Sequence, residues 1–424
     1  MNSWASALLA IKSVRRAVER IGADTGRVLA CLALLSGVAG ASAQTGPIKV
    51  GVVTPNSGTM AILGNDLARN YELAAERINA QGGIKGRKVQ IIRGDATNPQ
   101  EAIAAVEKLA GRDKVDVIAG TIASFISIAA SEAALNYNLL YWETNSLANN
   151  LTDRGLPNFV RSGPSANQFA QVAVDGTLNL LAKKLGKAPK DLKIWVQHED
   201  SNYGTSIAAE QKRLFEKVGA TVATSGHSMK AIDLTDAIVK AKKFGPDIWI
   251  VAAYMSDTNL LLRTAREQSF KPGVTLSIGI GDTKETLDAV GADYLNGVVM
   301  VSYPRPQINP KYGPGAMDVA KAYEAKFGEP PISNPAATGY TGFLMLARAL
   351  EAAGGATAYK DVLTAAKKMD LPVGTFPTGY GFKLDDHMQN IRSMPVLSQW
   401  QDGKVVVVYP AEAVITGNGL RNLK

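Results

Sequence analysis

Short runs of consecutive apolar, β-branched residues alternate along this chain with longer segments whose apolar positions recur every three to four residues. The run at 48–53 has the length and composition of a strand. A turn at 54–58, rich in Pro, Asn, Ser and Gly, follows it. Residues 67–80 read as an amphipathic helix with Leu67, Tyr71, Ala74, Ala75 and Ile78 on one face, stopped by Gly82 and Gly83. A strand at 89–92, a helix at 99–110 with Pro99 in its first turn, a strand at 115–118, a helix at 126–135 and a strand at 139–142 continue the alternation. Strands and helices alternating over short connections predict a parallel sheet with helices on both faces.

The stretch Ser162-Gly163-Pro164-Ser165 interrupts this pattern, and a long helix is predicted at 169–185. A second alternation follows. Strands are predicted at 193–197, 221–223, 247–251, 274–278 and 297–302, with helices at 204–218, 234–244 and 257–268 between them. Helices at 316–327, 336–353 and 359–368 come next. Two apolar runs, 396–400 and 405–409, then flank Asp402-Gly403, a strong hairpin signal. The pattern predicts an α/β chain of two doubly wound lobes with joints near 162–168, 296–306 and 371–381. One lobe would take 44–165 plus 302–375, the other 166–301 plus 376–424. Ligands of open α/β sheets bind outside the carboxyl ends of the strands, so two such lobes face each other across a cleft that closes by hinge bending.

Composition adds limits. With 424 residues, 46% hydrophobic and 20% charged, the chain is an ordinary globular one. Its net charge of +8 is dispersed, with no run of five or more like charges, which argues against a nucleic-acid or membrane-binding tail. The single cysteine, Cys31, and the scattered His198, His227 and His387 make a poor case for a metal site or a Cys-His nucleophile. The apolar run at 28–38 follows Arg27, is too short to span a bilayer, and precedes Ala41-Ser42-Ala43, a small-x-small cleavage pattern. Residues 1–43 are therefore predicted to be a signal peptide cleaved after Ala43, placing the mature chain in the periplasm without membrane insertion.

The strand at 115–118 runs into Gly120-Thr121 and Ser124 before its helix. Such a turn aims unpaired backbone N–H groups, at the positive end of the helix dipole, towards one spot that suits an anion. A plain strand-turn-helix with Ser124 as N-cap accounts for the same residues. Enzyme signatures are missing from the sequence. There is no Gly-x-x-x-x-Gly-Lys-Ser/Thr word, Gly279-x-Gly281 lacks the third glycine of a dinucleotide loop, and no Gly-x-Ser-x-Gly elbow occurs. No cofactor and no catalytic residue is predicted.

Specific words then match a known family. Ile48-Lys49-Val50-Gly51-Val52, Ser57-Gly58 with Gly64, Asn79-Ala80-Gln81-Gly82-Gly83-Ile84-Lys85-Gly86-Arg87, Asp95, Tyr203-Gly204 and Asp402-Gly403-Lys404 are arranged as in the periplasmic leucine/isoleucine/valine-binding proteins. From about residue 47 to 410 the chain resembles these solute receptors of ABC importers. The resemblance implies two Rossmann-like lobes joined by three hinge crossovers, a small carboxylate-bearing solute in the cleft, and a membrane permease as partner. The solute would be a branched-chain or other amino acid, or a related amide or aromatic acid. A ligand-sensing receptor or regulator domain of the same fold is the alternative.

By position, the resemblance implies that Ser124, with Ala123 and Phe125 beside it, holds the ligand carboxylate, and that Tyr203 and Tyr254 supply aromatic walls from the second lobe. For the two tyrosines a core or rim role is equally open. Leucine-type receptors carry an Ala-x-Thr set; this chain reads Glu143-Thr144-Asn145-Ser146 after Trp142. The acidic partner of a ligand ammonium falls near Asp282, which could equally cap a helix. Leu63 stands before Gly64 where some relatives have an aromatic. Trp142, Phe125, Tyr203 and Tyr254 together admit a larger or aromatic solute, whereas Glu143 and Asp282 admit a cationic or amide-bearing one.

Overall fold

A computed structural model describes residues 46–423; the predicted signal peptide lies outside them. The first sheet runs in the order β2-β1-β3-β4-β5, made of β1 (Ile48–Thr54), β2 (Val89–Asp95), β3 (Val117–Gly120), β4 (Leu140–Glu143) and β5 (Phe159–Arg161). All its pairings are parallel. The inner strands β3 and β4 are buried at every residue, as continuous apolar runs covered on both faces must be. The three-residue β5 was too short to stand out in the sequence.

The second sheet has the order β12-β11-β10-β9-β8-β6-β7. Its strands are β6 (Lys193–Glu199), β7 (Thr221–His227), β8 (Ile248–Ala252), β9 (Val274–Ile278), β10 (Val299–Ser302), β11 (Val396–Gln401) and β12 (Lys404–Tyr409). It is parallel from β7 through β10, and the predicted hairpin β11–β12 adds antiparallel strands beside β10. The short helices Asn150–Asp153, Lys284–Val290 and Ala292–Leu295 were not foreseen.

Local chemistry explains the element ends. The Asn98 side chain accepts from the Glu101 N–H at 3.0 Å and so caps Pro99–Gly111. The word beginning at Asn79 is structural: the Asn79 amide donates to the Val89 carbonyl at 2.8 Å and accepts from the Val89 N–H at 2.7 Å, pinning β2 to the helix Ala61–Ala80. That helix starts earlier than predicted, because Gly64 lets it lie against the Pro55 carbonyl, where any side chain would collide.

The chain passes between the sheets after β5 and after β10. The third passage comes later than the joint predicted at 371–381. Phe376, Tyr380 and Phe382 stay in the core of the first lobe, and the Asn390 N–H still bonds the Arg161 carbonyl at 2.9 Å. The chain leaves only between Asn390 and Val396. Apolar side chains of this stretch fill space under β4, a tertiary fit that local pattern does not encode.

Candidate functional site

The two sheets point the carboxyl ends of β3, β4, β6, β8, β9 and β10 at one small cavity. Ile122, Asn145, Leu147, Tyr203, Tyr254, Gly279, Ile280, Tyr303 and Pro335 line it. All but Pro335 lie just past a strand end, where open α/β sheets place ligands. The lobes are closed on one another, leaving a space of about 20 Å3, little more than a water molecule needs. A larger cavity of about 340 Å3 lies by Thr275 and Val298, at the opposite ends of β9 and β10, and is not part of this cleft.

From the first lobe, the helix Ser124–Asn136 starts at the cavity edge, and its N-cap is Ala123 rather than Ser124. The Ser124 hydroxyl instead accepts from the Ala148 N–H at 3.2 Å, tying the turn after β3 to the turn after β4. From the second lobe, Tyr254 brings its oxygen beside the Ser124 backbone N–H and the Ser201 hydroxyl. It completes a hydrogen bond of normal geometry with neither. Burial pushes this phenol far above its usual pKa, so it stays protonated, a donor without an acceptor. Phe125 packs edge-on against Tyr254 with ring centroids 6.4 Å apart, and Tyr203 lies 5.1 Å from Tyr254 on the other side. The Tyr203 hydroxyl donates to the Ile278 carbonyl at 2.7 Å.

The word Tyr203-Gly204 has its own cause. The Glu199 carboxylate accepts from the N–H groups of Ser201 at 2.6 Å and Gly204 at 2.5 Å. A Cβ at Gly204 would strike the Glu199 main chain. This closes the loop that carries Tyr203 to the cavity.

Glu143 is fully buried, and its carboxylate is enclosed by backbone donors. Oε1 accepts from the N–H groups of Thr121 at 2.9 Å, Thr144 at 2.8 Å, Asn145 at 2.8 Å and Ser146 at 3.0 Å, and Oε2 accepts from the Ser127 hydroxyl. Part of the anion site foreseen at the end of β3 is thus filled by the protein's own carboxylate. That bonding fixes the 144–146 turn and with it Asn145, whose carbonyl accepts from the Tyr303 hydroxyl at 2.5 Å.

Other predicted site residues lie elsewhere. Trp142 is in the first-lobe core, stacked on Phe382 at 5.8 Å and donating its Nε1–H to the Gly342 carbonyl at 3.0 Å. Leu63 is in the same core. Ser146 is buried, and its carbonyl accepts from Arg161. Asp282 is buried beside a different cavity, accepts from the Asn334 amide and faces Arg305. Thr283, not Asp282, caps the helix after it. Ile122, Leu147, Gly279, Ile280, Tyr303 and Pro335 were not foreseen. Position just past a strand end could have flagged all but Pro335, which arrives at the head of a distant helix.

A family profile described as periplasmic binding protein matches residues 47–404. A Leu/Ile/Val-binding protein homolog from Brucella suis is 38% identical over 392 residues, spanning 92% of this chain and 97% of that protein. The chain belongs to the periplasmic binding protein family, in its Leu/Ile/Val-binding group. Solved structures share the fold. A leucine-binding protein from Thermotoga maritima superposes with a TM-score of 0.74 at 20% identity, covering 85% of this chain and 98% of that one. An ABC-transporter solute-binding protein of R. palustris in complex with 4-hydroxybenzoate gives 0.72 at 18% identity, covering 89% and 98%. Among the described residues, no helix is long and apolar enough to cross a membrane.

Proposed function

We propose that this protein is exported to the periplasm, captures a small carboxylate-bearing solute between its lobes, and delivers it unaltered to the membrane permease of an ABC importer. The observation that carries the reading is the buried Tyr254 hydroxyl, an unpartnered donor that faces the first turn of Ser124–Asn136 across the cleft. Donors from opposite lobes converge there with no acceptor between them. A ligand carboxylate supplies that acceptor and is favoured by the helix dipole. The Ser124 hydroxyl, Phe125, Asn145 and Tyr203 complete its surroundings. The two related structures that name leucine or 4-hydroxybenzoate concern solutes that both carry a carboxylate.

A solute bonded to both lobes stabilises the closed form and shifts the population towards it. Closure then presents a joined surface of both lobes to the permease. The test is thermal unfolding with a panel of amino acids, aliphatic acids and aromatic acids. Binding raises the melting temperature in a concentration-dependent way. A panel in which no carboxylate produces a shift overturns the reading.

A further inference from the structure

The cleft supplies hydrogen-bond donors, and no carboxylate lines its cavity. An α-ammonium carried into such a space needs a carboxylate or several carbonyl oxygens, because a buried charge without partners is strongly unfavourable. The carboxylates bordering the cleft are already engaged. Glu143 accepts from four backbone N–H groups and the Ser127 hydroxyl. Glu199 holds Ser201 and Gly204. Asp257 accepts from His227 Nε2 at 3.1 Å. Asp282 is bonded by Asn334 and lies beside Arg305.

Asp257 and Asp282 each keep one oxygen without a donor. Neither residue lines the interlobe cavity. Asp282 opens instead on a separate cavity of about 470 Å3 that also contains Lys284, Arg305 and Lys404. A ligand ammonium reaching Asp282 would therefore enter a group of cations.

Three of the carbonyls at the cavity are engaged as well. Those of Asn145, Ile278 and Ile280 accept from Tyr303, Tyr203 and Ser277 respectively. Among the side chains lining the cavity, the unsatisfied polar atom is the Tyr254 hydroxyl. The rest of the wall is apolar: Ile122, Leu147, Ile280 and the tyrosine rings.

We propose that the solute is a carboxylate without an ammonium group, an aromatic or branched aliphatic acid rather than an α-amino acid. This rests on the carboxylate reading above and narrows it. The carboxylate meets the Ser124 turn and Tyr254, and the uncharged remainder lies among the rings of Tyr203, Tyr254 and Tyr303. An ammonium on the adjacent carbon would face the Tyr254 phenol and backbone N–H groups, with no carboxylate to neutralise it.

The test uses isothermal titration of the wild-type protein with matched pairs that differ only in the amino group: 3-phenylpropanoate against phenylalanine, and 4-methylpentanoate against leucine, with benzoate as a further acid. The expected result is that the acid binds at least tenfold more tightly than its amino-acid partner in any pair that binds, or that benzoate alone binds. Leucine or phenylalanine binding as tightly as its matched acid, or more tightly, overturns this inference and leaves the carboxylate reading intact. Failure of every acid and every amino acid to bind overturns both.

Discussion

The Tyr303 hydroxyl, at the end of the second lobe's β10, donates to the Asn145 carbonyl of the first lobe at 2.5 Å, inside the closed cleft. Opening the lobes is expected to break this bond. Tyr303→Phe removes about 1 kcal/mol from closure and is expected to weaken solute binding roughly fivefold. Small-angle scattering of the solute-free variant would show a larger radius of gyration. Unchanged affinity and radius would remove this bond from the closure mechanism.

Tyr254→Phe separates binding from folding. The hydroxyl has no partner of normal geometry, so its loss leaves unfolding free energy unchanged or slightly higher. A hydrogen bond to a charged ligand is worth about 1.5–3 kcal/mol, and the variant is expected to bind a carboxylate solute roughly 10- to 100-fold more weakly. Calorimetry and urea unfolding on the same preparation check both halves. Affinity equal to wild type would take Tyr254 out of the site.

Glu143→Gln leaves one oxygen where a carboxylate served five donors, and turns an amide N–H towards the others. Hydrogen bonds to a charged acceptor are the strong ones, and the expected loss is about 3 kcal/mol of stability. A lowered urea midpoint at constant slope reads this out. A midpoint matching wild type would mean that the cage contributes nothing to the fold.

Burial raises the pKa of Asp282 above the ordinary aspartate value, against the opposing pull of Arg305. The folded chain therefore holds this proton more tightly than the unfolded chain. The resulting stabilisation is fully present below the unfolded pKa and is lost as pH rises through the folded one. Asp282→Asn cannot titrate, so its stability should vary less with pH across that acidic window than wild type. Parallel profiles in urea unfolding at a series of pH values would contradict the assignment.

Trp142 lies in the core, under Phe382 and bonded to Gly342. Trp142→Phe loses volume and the indole's extra hydrogen bond to the Gly342 carbonyl, an expected cost of about 2–3 kcal/mol. Solute affinity should stay within about twofold at temperatures where the variant is folded, a change too small to mark a direct contact. A large affinity loss in folded protein would place the indole in the binding path.

Local pattern alone determined much of this protein. Continuous apolar runs and period-3.6 repeats marked most strands and helices, because a buried parallel strand needs an unbroken apolar run and a covering helix needs one apolar face. Asp402-Gly403 fixed the hairpin, and the turn after β3 marked the edge of the cleft. Tertiary structure decided which neighbours each side chain meets. Trp142 and Tyr254 look alike as aromatics beside strand ends, yet one faces Phe382 in the core and the other faces Ser124 across the cleft. Glu143 and Asp282 look like partners for a ligand cation, but Glu143 is engaged by the three N–H groups that follow it together with Thr121 and Ser127, and Asp282 by Asn334, 52 residues away. A carboxylate's free valence depends on everything folded around it, and no local pattern encodes that.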